Sequence, residues 1–112
     1  MSELPSESKM LLSDVRREAM ALLGTTESPH HQYTSFRVRG RIYATAPKEG
    51  GSLHVFVDEE DRDRMVKLYP ATYEILGWGK KVVGLRANRE SARPDDVRGL
   101  LRTAWQRKLG KR

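Results

Sequence analysis

Two runs of alternating side chains on either side of a glycine constrain this chain more than any other feature. In YTSFRVRGRIYAT, Phe36 and Val38 alternate with Arg37 and Arg39, and Ile42 and Ala44 alternate with Arg41 and Tyr43. A period of two belongs to half-buried strands, and a link this short makes the pair a hairpin in an antiparallel sheet. A two-residue turn would set Val38 opposite Arg41 and bring a charge onto the apolar face. A three-residue turn, Arg39-Gly40-Arg41, instead pairs Val38 with Ile42 and Phe36 with Ala44. The expectation is therefore a three-residue turn whose tip carries two arginines around a glycine tolerant of positive φ. Arg37 and Tyr43 then stand on the face away from the apolar set.

The remaining segments extend the pattern. In SDVRREAMALLG, Val15, Ala19, Leu22 and Leu23 recur at helical spacing, with Ser13 or Asp14 as the cap and Gly24 as the stop. TTESPHHQ fits neither period and reads as a turn-rich connection into the sheet. SLHVFV reads as a third strand, followed by an acidic-started helix, DEEDRDRMVKLYP, capped by Asp58. TYEIL and KKVVGLRAN read as two further strands around a turn at Gly77-Trp78-Gly79. After Pro94, the residues Val97, Leu100, Leu101, Ala104, Trp105 and Leu109 follow a helical repeat. This order predicts an α+β fold: an antiparallel sheet of about five strands with N-terminal, middle and C-terminal helices packed mainly on one face. The length of 112 residues suits one domain, with flexible tails expected at 1–7 and 110–112.

The chain has no cysteine, which fits a reducing cytosol, and its polar start matches neither a secretory signal nor a membrane span. Its formal net charge of +6 is unevenly spread, with seven basic against two acidic residues over 93–112 and four against one over 29–57. Residues 58–70 reverse the balance, with three basic against five acidic. A basic tail such as Lys108, Lys111 and Arg112 serves solubility as readily as binding.

The chain resembles the MmcQ/YjbR family of small bacterial proteins. The resemblance rests on DVRREAMALLG, PHHQYTSFRVRGRIYAT, HVFVDEE, GWGKKVVGLR and DDVRGLLRTAW taken in order. Leu23 stands where the family pattern has proline, Arg41 where it usually has lysine and Tyr43 where it usually has phenylalanine. The resemblance implies a frataxin/CyaY-like sandwich of the double-wing kind and a DNA-binding role, and it supplies no catalytic residues.

On the residues themselves, Arg37, Arg39, Arg41, Lys80, Lys81 and Arg86 are strand or hairpin cations suited to phosphate contacts, which need charge and reach rather than a unique spacing. Tyr43 and Trp78 offer stacking faces beside them, although a structural role at the sheet edge is the favoured reading of Trp78. No helix-turn-helix or zinc-finger pattern supports sequence-specific recognition. An enzymatic reading has only His30, His31, His54 and Tyr33 to draw on. Adjacent histidines in an extended chain point apart, and no further ligands are marked. No nucleophile elbow or phosphate loop is present. Iron binding on acidic helix residues is disfavoured because Arg16, Arg17, Arg62 and Arg64 are interspersed among them. The expectation is thus a monomeric, non-enzymatic protein without cofactor that binds nucleic acid with low specificity. The alternative is a protein- or small-ligand-binding module using the open sheet face or the loop at His30 and His31.

Overall fold

The computed structural model describes residues 10–110, apart from the side chain of Trp78. Helix α1 (Leu12–Met20) is followed by strands β1 (Thr25–His30), β2 (Tyr33–Val38), β3 (Arg41–Pro47) and β4 (Ser52–Val55). Helix α2 (Glu59–Leu68), strands β5 (Tyr73–Trp78) and β6 (Lys81–Asn88) and helix α3 (Pro94–Leu109) complete the order. The sheet order is β1-β2-β3-β4-β6-β5, and every neighbouring pair is antiparallel. The expected α+β fold is present with one strand more than the sequence pattern announces.

That extra strand is β1, in the segment whose pattern reads as a turn-rich connection. Pro29 is compatible with it because an edge strand leaves one side of its backbone unpaired. Its registration comes from tertiary partners: Glu27 accepts from Arg16 of α1 at 2.8 Å and from the Thr34 hydroxyl of β2 at 2.6 Å. Neither partner is visible in a local hydrophobic period. The tails expected at 1–7 lie outside the described residues, as do residues 111–112.

The β2–β3 turn differs from its expectation. It has two residues, Arg39 (φ +54°) and Gly40 (φ +76°), with Val38 opposite Arg41. Positive φ at both positions matches the right-handed twist of a hairpin. The charge conflict that argued against this turn is resolved by a β-bulge: Arg37 pairs with Ile42 and Phe36 with Ala44, so Tyr43 is the extra residue. The pairing of Phe36 with Ala44 is as expected; that of Val38 with Ile42 is not. The β5–β6 turn likewise lies one step later than Gly77-Trp78-Gly79, with Trp78 opposite Lys81 across Gly79-Lys80.

Helix caps follow the sequence closely. Asp58 accepts from the Asp61 amide, and Pro94 opens α3. In α1 the cap position is Leu11, two residues before Ser13 and three before Asp14, and the Asp14 carboxylate accepts from the Leu11 amide. One buried cluster joins Val15 and Ala19 of α1, Met65 of α2 and Val97, Leu101 and Ala104 of α3 to Phe36, Ala44, Leu53, Val55, Leu85 and Ala87 of the sheet. The helices thereby cover one sheet face, with Phe56 and Leu76 buried outside this cluster.

Candidate functional site

Strand direction decides where the cations gather. β2, β4 and β5 run the same way, because each is separated from the next by two antiparallel steps, through β3 and through β6. The turns after β2 and β5 therefore sit at one end of the sheet. Arg39 is exposed on the first turn, and Lys80 and Lys81 are exposed at the second. α3 ends there as well, since the Arg41 guanidinium donates to the Lys108 carbonyl and that of Arg107 to the Phe56 carbonyl. Basic residues at a helix C-terminus also meet the negative end of its dipole.

The other residues singled out from the sequence have different fates. Arg37 is half-buried and donates to the Ser35 hydroxyl at 3.2 Å. Arg86 lies on the uncovered face, ion-paired with Glu74 at 2.8 Å. Tyr43 does not face away from the apolar set: its side chain is 0% exposed, in the core. The bulge turns it there, where its hydroxyl donates to the Ala19 carbonyl and meets the Thr25 hydroxyl at 2.9 Å. Burial raises the Tyr43 pKa above its usual value, with the Thr25 hydrogen bond opposing that rise. Tyr43 is thus no stacking surface. The backbone of Trp78 closes β5; its proposed stacking or edge-sealing side chain lies outside the described part of the structure.

The uncovered sheet face holds a trough of about 680 Å³, a size common among ligand sites. Its apolar part is formed by Ile42, Phe56, Val82 and Val83, and Lys81, Arg107 and Lys108 contribute cations. At its far side stand His30, His31, Tyr33, Thr45 and His54. The rings of His30 and His31 approach to 4.9 Å between centroids instead of pointing apart. The reason is local: His31 occupies the left-handed region (φ +60°) in the β1–β2 turn, so the two residues do not alternate as an extended pair would. Tyr33 and His54 rings lie 5.7 Å apart, and His54 Nδ1 is 3.3 Å from the Thr45 hydroxyl. His54 is buried, and burial followed by the nearby Arg86 charge lowers its pKa below 6.5. Among the described residues, no group of three or more histidines, cysteines or carboxylates is arranged to hold a metal ion.

Sequence reasoning named the histidines and Tyr33 but missed the apolar part of the trough. Ile42 belongs to it only because the bulge places that residue opposite Arg37. Gly84 shapes it too, since a Cβ there would lie 3.0 Å from Phe56 Cα and closer still to the Val55 carbonyl. The one available signal was Gly84 itself, an isolated glycine inside a strand pattern.

These features define a class: small antiparallel α+β folds with two basic hairpin turns at one end of the sheet and an uncovered, partly apolar face. The chain belongs to the YjbR family, whose profile matches residues 20–107. No curated protein matches the chain, and no solved structure does.

Proposed function

We propose that this protein is a low-specificity nucleic-acid-binding protein of the cytosol, acting by binding and not by catalysis. The observation that carries the reading is the convergence of exposed Arg39, Lys80 and Lys81 at one end of the sheet, beside the C-terminal turn of α3. Cations on two separate turns can engage successive phosphates, and such contacts are indifferent to base sequence. The exposed acidic start of α2, Asp58, Glu59 and Glu60, follows β4 at the same end. Those carboxylates repel phosphates on the helix side and favour an approach from the uncovered face.

The test is the salt dependence of binding to a labelled random-sequence DNA, followed by fluorescence anisotropy. Binding should weaken linearly in the logarithm of salt concentration. The triple change Arg39→Ala/Lys80→Ala/Lys81→Ala should flatten the slope by roughly 0.9 per duplex phosphate contact removed. Salt-insensitive binding, or a triple variant indistinguishable from the parent, would overturn the proposal.

A further inference from the structure

We infer that the trough on the uncovered face seats unpaired bases, so that the preferred ligand is a single strand; this rests on the nucleic-acid reading above. A charged rim alone would suit any polyanion. The apolar portion is what discriminates, because Ile42, Phe56, Val82 and Val83 can gain only from a ligand that brings apolar area out of water. A duplex presents sugars and phosphates outward and keeps its base faces stacked on one another. A single strand can turn its base faces into the trough while its phosphates remain at the rim.

The electrostatics point the same way. The described residues lining the trough include no carboxylate, whereas Lys81, Arg107 and Lys108 bring positive charge to it. Lys81 also flanks the exposed β5–β6 turn, so a strand held there by its phosphates continues directly into the trough. Ile42 and Thr45 both line the trough, and with Tyr43 bulged between them they stand opposite Arg37 and Ser35, about 7 Å apart at the rise of a strand. The side chains of Tyr33, Thr45 and His54 supply hydrogen-bonding groups at the far side for base edges.

Two neutral substitutions isolate the trough from the turn cations. Val82 is 50% exposed, so Val82→Gln removes apolar surface without opening a core cavity. Tyr33→Ala removes a half-buried ring at the far side, and circular dichroism melting checks that each variant folds. The probes are a short fluorescein-labelled oligothymidylate and a labelled duplex of the same length, at matched salt. The parent should bind the single strand roughly tenfold tighter, and both variants should lose most of that preference while holding the duplex as before. Equal affinity for the two probes, or variants that leave single-strand binding unchanged, would overturn the trough assignment and leave the phosphate-contact reading standing. Absence of salt-sensitive binding to either probe would overturn both.

Discussion

Arg89 shows how a charged side chain can be structural by bonding to backbone carbonyls. It is only 5% exposed and donates to the carbonyls of Gly50 at 2.7 Å and of Ser52 and Met10 at 3.1 Å. These bonds fasten the chain before α1 and the loop before β4 to the end of β6. Arg89→Ala strands three acceptors, and the expected loss is about 3 kcal/mol of stability, read from urea unfolding. Tyr43→Phe removes a hydroxyl with two buried partners and should cost about 1 kcal/mol while leaving nucleic-acid affinity unchanged. An affinity loss there would contradict the core placement of Tyr43. His54 adds a pH dependence whose sign follows from its lowered folded-state pKa. The unfolded chain then binds more protons than the folded one, so the stabilisation is full above about 6.5 and declines as pH falls below it. His54→Gln should flatten that acid limb in melts recorded across the range.

Hairpins illustrate how much of an element is legible in sequence. Alternation located β2, β3, β4 and β6, and capping chemistry located α2 and α3, because those signals are carried by the residues concerned. β1 was hidden because its partners, Arg16 and Thr34, come from other elements. The bulge was hidden because two turn lengths preserve the Phe36–Ala44 pairing and differ only in where Tyr43 and Ile42 point. The candidate site inherited both uncertainties: its turn cations were legible as basic residues near glycines, whereas the trough depended on registers that local patterns do not set. At Arg39, a side chain in the left-handed region carries strain that glycine avoids. Arg39→Gly should therefore hold or raise the melting temperature, even as it removes a proposed phosphate contact. Gly84→Ala should do the opposite, losing about 2 kcal/mol or more, because β4 backbone occupies the space its methyl needs.

At the scale of the whole molecule, the sheet consists of two hairpin systems joined through one short strand. β4 has four residues, and its registered pairs with β3 are Ala44–Val55 and Thr45–His54. On its other side β4 pairs with β6 from Ser52 to Val55. The helices meet the same junction, since Leu53 and Val55 are fully buried in the cluster that holds α1, α2 and α3 together. The turns at the free ends of the hairpins, by contrast, carry exposed Arg39, Lys80 and Lys81. Protection from amide exchange should accordingly be greatest at Ala44, Val55 and Leu85 and fall along both hairpins toward their turns. Leu53→Ala, which opens a cavity at the junction, should cost about 2–5 kcal/mol and lower the protection of β2–β3 and β5–β6 together. Loss confined to one hairpin would mean that the two halves unfold independently and that β4 does not couple them. A joint loss would mean that the basic turns, although far apart in sequence, are held in register by the same buried leucine.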